Sequence, residues 1–369
     1  MKDVMGIITI PDNLESLHDI TNDRVVAAVP YGGRYRLIDF ILSNMVNSGI
    51  QNVGIFIGHK SRSLMDHLRS GKDWDLHRKR NGLFILPTDY RNHAGNPSGD
   101  LEYFYKHLDY FHGSTEKYVL IAGSNAVCNT TFDKAFKFHI NNHADITMLY
   151  SDYPQPISVH KTILETDSNN RVIDLKVNPA RKTSKKLSME MYIMKKELLI
   201  DITDTCISKG KYDLTKHGII NNLKTLNVYA YHYPGYFGKI SSLACYYKHN
   251  LDLLKPEIWK ELFFNSGPIY TKVKNEPPTK YYETSTVENS LIASGCIIEG
   301  IVKNSILFRG VTVAEGSTIK NCIILPRTEI RNGVYIENII LDKNVCISAD
   351  KTLIGDEKHP IYIGKGSIV

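Results

Sequence analysis

Apolar residues in the first third of the chain fall in short runs rather than in strict alternation with polar ones. Gly6-Ile7-Ile8-Thr9-Ile10, Asn52–Ile57, Leu83–Leu86 and Tyr118–Ala122 are such runs, and their β-branched content predicts buried strands. Helices are predicted between them over Ile38–Ser48, Ser63–Leu68 and Leu101–Phe111. Strand and helix in this rhythm predict a doubly wound α/β sheet, in which ligands sit beyond the carboxyl ends of the strands. Gly123-Ser124-Asn125 follows one of those ends. A second landmark is Ala28-Val29-Pro30-Tyr31-Gly32-Gly33-Arg34-Tyr35-Arg36, where proline presets φ and glycine admits a positive φ, so a turn forms from which two arginines project.

After Glu276-Pro277-Pro278 the pattern changes. Asn289-Ser290-Leu291-Ile292, Asn304-Ser305-Ile306-Leu307, Asn321-Cys322-Ile323-Ile324 and Glu337-Asn338-Ile339-Ile340 recur at near-constant spacing. Aliphatic residues step mostly by five or six: Ile292, Ile298, Val302, Leu307, Val313, Ile319, Ile324, Ile330 and Ile336. That is the hexapeptide signature of a left-handed parallel β-helix whose stepped side chains point inward. Three segments are therefore expected: residues 1–255, a linker over 256–280 and a β-helix over 281–369. Acyltransferases built on such helices need a histidine base, and His359 is the only histidine between Tyr281 and Val369. Its place in an expected loop argues against acyl transfer.

A chain of 369 residues is long enough for two cores. The net charge of +6 suits anionic small molecules and does not by itself indicate nucleic acid. His77-Arg78-Lys79-Arg80 and Arg181-Lys182-Thr183-Ser184-Lys185-Lys186 lack interleaved aromatics, so they read as solvated faces. The six cysteines show no C-x-x-C pair and read as reduced thiols. The apolar run Val4–Ile10 is too short for a membrane span or a signal peptide, and a cytoplasmic protein is expected.

The turn at Pro30–Arg36, together with Trp74-Asp75-Leu76, Leu86-Pro87, Leu108-Asp109-Tyr110, Ser188-Met189, Met191-Tyr192 and Gly235-Tyr236-Phe237, resembles ADP-glucose pyrophosphorylases, the glucose-1-phosphate adenylyltransferases. Order and spacing carry the resemblance over nearly the whole chain. It implies a mixed, Rossmann-like nucleotidyltransferase sheet followed by the β-helix.

Several positions depart from that family's pattern. Its glycine-rich phosphate loop would follow the first strand, but Asp12, Glu15 and Asp19 stand there with no glycine between Gly6 and Gly32. Like charge repels a polyphosphate. The aspartates that hold the catalytic magnesium match Ser124 and Lys239, and a hydroxyl or an ammonium is a poor substitute for a carboxylate. The sugar-phosphate lysine matches Asn178 and the adenine-reading glutamine matches Asp89. Glu102, Tyr105, Gly123 and Ser188 match what remains of a substrate site. Arg24, Arg34 and Arg36 match or flank the family's regulatory anion site, although Val26 replaces one of its lysines.

The resemblance thus implies no catalytic residues and no metal or cofactor on this chain. It points to the GlgD-type regulatory subunits of that family, paired in a heterotetramer with a catalytic glucose-1-phosphate adenylyltransferase subunit that itself requires Mg²⁺. Self-assembly and a sugar-phosphate effector are further expectations, with neither a nucleic-acid nor a membrane partner. Two alternatives stay open at this point: a weakly active adenylyltransferase and a stand-alone sugar-phosphate or sugar-nucleotide binding protein.

Overall fold

The strand Val4–Thr9 lies inside a mixed nine-stranded sheet in the computed structural model, which describes residues 1–11, 15–88, 99–152, 161–179 and 184–369. Its side chains alternate between two cores, Val4 and Ile8 entering one and Met5 and Ile7 the other. Burial on both faces explains why the run is continuously apolar. It pairs in parallel with Asn52–Ile57 and Tyr118–Gly123, and Asn52–Ile57 pairs onward with Gly82–Pro87. Past Tyr118–Gly123 the direction reverses. Leu187–Lys195 runs antiparallel to it and to Ile146–Ser151, Val228–His232 extends the sheet, and Thr162–Thr166 with Val172–Val177 forms one edge.

The helix expected over Leu101–Phe111 is two helices, Asp100–Lys106 and Leu108–Gly113. His107 breaks it at φ −123°, and its Nε2 lies 2.8 Å from the Pro87 carbonyl oxygen. Residues 256–264 of the expected linker form the helix Pro256–Phe264, with proline at the first turn, where its missing N–H leaves no hydrogen bond unmade. Ile258 and Leu262 anchor that helix in the first core.

From Lys280 to Ile363 the chain winds as three five-stranded parallel sheets, the coils of the left-handed β-helix. Ile298, Val302, Leu307, Val313, Ile319, Ile324, Ile330 and Ile336 fill its interior, and Ile292 packs against them. Asn289, Asn304, Asn321 and Asn338 turn one corner at positive φ, which asparagine tolerates. Asn289 donates to Asn304, and Asn321 to Asn338, up that corner.

The outward residues Ile306, Ile323 and Ile340 of one face do not meet solvent. They join the first core, so the β-helix is fastened along its length to the nucleotidyltransferase-like domain. Arg24 adds a polar fastening. Its guanidinium binds Asp342 bidentately at 2.6 and 3.0 Å, and the Tyr362 hydroxyl donates to the same carboxylate at 2.6 Å.

Candidate functional site

The carboxyl ends of Val4–Thr9 and Tyr118–Gly123 meet at Thr9 and Gly123, which are in register. Ser124 continues the ladder by donating its N–H to the Thr9 carbonyl at 2.9 Å. Its hydroxyl is fully buried without a hydrogen-bond partner. Immediately after it, Ala126-Val127 pairs antiparallel with Gly238-Lys239, and Asn125 exchanges hydrogen bonds with Ile240. Of the two positions expected to replace the metal carboxylates, Lys239 thus stands opposite Ala126 and Ser124 lies two residues before it, beyond the carboxyl ends of these strands.

Lys239 is 4% exposed, and its Nζ lies 2.5 Å from Oε1 of Glu190. Glu190 reaches it from an irregularity in the Leu187–Lys195 strand, where its own φ is +56°. The Ser188 hydroxyl accepts the Glu190 N–H at 3.0 Å and so caps that irregularity. A magnesium ion does not fit this donor set, because the position nearest the sheet ends holds an ammonium already paired with a carboxylate. Among the described residues no group of three or more His, Cys, Asp or Glu side chains is placed to hold a metal ion.

Nearby, Asp100 accepts the Leu214 N–H at 3.1 Å. Burial pushes its carboxyl up to about 7, with the charges of Asp213 and Glu190 adding to the rise. Glu102 pairs with Lys106 one turn along their helix at 2.8 Å, and Tyr105 is half exposed. Asn178 accepts the Lys161 N–H at 2.7 Å. Asp12, the Glu15 side chain, Asp89 and 181–183 lie outside the described residues.

A second site opens where the two domains meet. Arg34 and Arg36, leaving the Gly32-Gly33 turn, face a cavity of about 200 Å³ together with Lys272, Lys274, Arg309, Arg327 and Lys343. Both glycines hold positive φ, and a Cβ on Gly32 would lie 2.9 Å from Leu253. Among the described residues Glu276 is the one carboxylate in that lining. Burial and mutual repulsion depress the cations: Arg36 is lowered to about 10 and Lys343 to about 7, and Lys272, Lys274 and Arg309 are lowered as well. Arg36 is held by the Ser63 carbonyl oxygen and hydroxyl at 2.5 and 3.0 Å. His67, also in the lining, meets buried Asp39 at 2.6 Å. Arg24 is spent on Asp342 and does not line this cavity.

The β-helix contributions to this cavity carry a signal in the sequence that the hexapeptide pattern alone does not express. Leu307, Ile324 and Leu341 are in register on successive coils, and a cation, Arg309, Arg327 or Lys343, follows each by two or three residues.

Comparison with known proteins agrees with the architecture. Residues 15–242 match the nucleotidyl transferase family and residues 277–360 the GlmU-like C-terminal hexapeptide family. The chain is 32% identical to a glucose-1-phosphate adenylyltransferase of Bacillus mycoides (strain KBAB4), over 93% of this chain and 92% of the relative. The chain belongs to the glucose-1-phosphate adenylyltransferase family of nucleotidyl transferases. Within it, similarity is higher to proteins named glycogen biosynthesis protein GlgD. That of Bacillus subtilis (strain 168) is 39% identical, over 99% of this chain and 96% of the relative. That of Geobacillus stearothermophilus is 37% identical, over 99% and 97%.

Proposed function

We propose that this chain is a non-catalytic regulatory subunit of bacterial glucose-1-phosphate adenylyltransferase. In this reading it assembles with the catalytic subunit in a cytoplasmic heterotetramer and modulates ADP-glucose synthesis from ATP and glucose 1-phosphate for glycogen biosynthesis. The observation that carries the reading is the Lys239–Glu190 ion pair, at a position that the resemblance matches to one of the family's metal aspartates. Metal stabilisation of a transferring phosphoryl group is worth several kcal/mol, and each ~1.4 kcal/mol is about tenfold in rate. A cleft whose cation is a lysine lacks that contribution, so the Mg²⁺ chemistry belongs to the catalytic partner. Among the described residues no helix is long and apolar enough to cross a membrane.

The interdomain cavity supplies the regulatory half of the reading. Among the described residues seven basic side chains face one carboxylate there, a net demand for anion, and guanidinium groups suit phosphate oxygens in geometry as well as charge. A sugar phosphate seated there touches both domains, so its binding energy couples to their relative placement. Purified alone, the chain should turn over ATP and glucose 1-phosphate negligibly. Mixed with the catalytic subunit, it should raise that subunit's rate or its response to fructose 1,6-bisphosphate. Vigorous turnover by the isolated chain, dependent on magnesium, would refute the assignment.

A further inference from the structure

We propose that Lys343 is an acylation site, its amine taking the acyl group of a small acyl phosphate whose phosphate is held by the arginines of the interdomain cavity. This rests on reading the cavity as an anion site. The cavity gathers two kinds of cation. Arg34, Arg36, Arg309 and Arg327 are guanidinium groups, non-nucleophilic and suited to phosphate. Three amines join them: Lys272 donates to the Asp66 carbonyl oxygen and Lys274 is exposed, whereas Lys343 is half-buried on the coil that also carries the Asp342 clamp.

Lys343 differs from exposed lysines such as Lys79 and Lys351 in two ways: it is half-buried and it stands among like charges. Burial disfavours its charge most, Arg36, Arg24 and Lys274 add to that, and Asp342, which favours the charge, is already shared by Arg24 and Tyr362. With its value lowered to about 7, roughly half of this amine is uncharged at neutral pH, against on the order of one part in a thousand for an exposed lysine.

The chemistry balances without an oxidant or a further reactant. The uncharged Nζ attacks the acyl carbonyl carbon, an N–C bond forms, the C–O bond to phosphate breaks, and the amine's proton leaves to solvent or to the departing phosphate. The products are a neutral amide and inorganic phosphate, the leaving group developing its charge beside the guanidinium groups. The same event removes the amine's remaining positive charge and its capacity to take up a proton beside a bound anion, so acylation weakens the cavity's hold on a sugar phosphate.

The test exposes the full-length chain to acetyl phosphate near neutral pH and follows each lysine by peptide mass spectrometry. Lys343 should react on the order of tenfold faster than exposed Lys79 and Lys351, the gain in free amine being partly offset by its lower basicity. Excess inorganic phosphate should slow Lys343 and leave Lys79 and Lys351 unchanged, and Arg309→Gln should slow it in the same selective way. Acetylation of Lys343 no faster than the two surface lysines would overturn the proposal, as would a rate indifferent to both phosphate and Arg309→Gln. Calorimetry of inorganic phosphate with the unmodified chain separates the two ideas. Phosphate binding without preferential acylation defeats the acylation site alone, whereas absence of phosphate binding defeats the anion site on which it rests.

Discussion

Lys239 and Glu190 meet at 2.5 Å from two different strands, the lysine buried and the glutamate about a third exposed at 32%. Glu190 makes this contact only because its backbone adopts φ +56°, a region that costs a β-substituted residue of order 1 kcal/mol or more. The contact thus offsets a local strain. Replacing Glu190 by Gln removes the carboxylate from a desolvated ammonium, and a loss of about 2–3 kcal/mol is expected. Lys239→Met should cost less, because water reaches Glu190. Urea unfolding of both variants and of the double variant measures the coupling, and additive losses would contradict the pairing.

Installing aspartate at Ser124 and Lys239 together should not produce an enzyme. Lys239 stands opposite Ala126, two residues after Ser124, but no glycine follows the first strand to cradle a triphosphate. Turnover of the S124D/K239D variant, assayed by pyrophosphate release, should stay at the level of the unmodified chain. Recovery of activity by these two changes alone would show that the missing phosphate loop matters less than the metal ligands.

Arg24→Met should act on the joint between the domains rather than on the cavity. It leaves Asp342 buried and deprived of its bidentate partner, at a cost of about 3–5 kcal/mol. Tyr362 still donates to Asp342, so the lower part of that range is expected. Calorimetric unfolding should show a lowered Tm or two separated transitions. A variant as stable as the parent would show that the apolar seam around Ile306, Ile323 and Ile340 suffices.

Lys343 makes stability depend on pH with a definite sign. In the folded chain its value is about 7, whereas in the unfolded chain the ordinary lysine value of about 10.4 applies. Between those values the unfolded chain holds more protons, so this residue's contribution to stability rises with pH. Below about pH 7 the penalty is fully present. Lys343→Met should therefore stabilise the anion-free chain at pH 7, by on the order of 1 kcal/mol once solvent contact is allowed for. Denaturation of both proteins across this range should show the advantage of the variant vanishing toward pH 10, as judged from the ordinary lysine value of about 10.4.

Much of the fold was legible because its signals are local. Asn52–Ile57 is a strand over the very residues its apolar run marks, and the stepped aliphatics of the β-helix point inward as their period requires. Residues 256–264 of the expected linker form a helix instead, because proline at a first turn begins one. That Arg34 and Arg36 line one cavity was legible because both leave one glycine turn. The fate of Arg24 was not, since Asp342 lies 318 residues away and only the docked β-helix brings them together. Glu190 escaped notice for a related reason: a carboxylate at a strand irregularity gains meaning only when Lys239 arrives from a separate ribbon.

The account stands most directly on one measurement, the rate of pyrophosphate release by the catalytic subunit with and without this chain, at saturating ATP, glucose 1-phosphate and magnesium, in the presence and absence of fructose 1,6-bisphosphate. A higher rate or a sharper response to the bisphosphate on mixing, with the isolated chain nearly inert, is the expected result. An isolated chain that catalyses the reaction at a rate comparable to the catalytic subunit, or a mixture indistinguishable from the catalytic subunit alone, would contradict it.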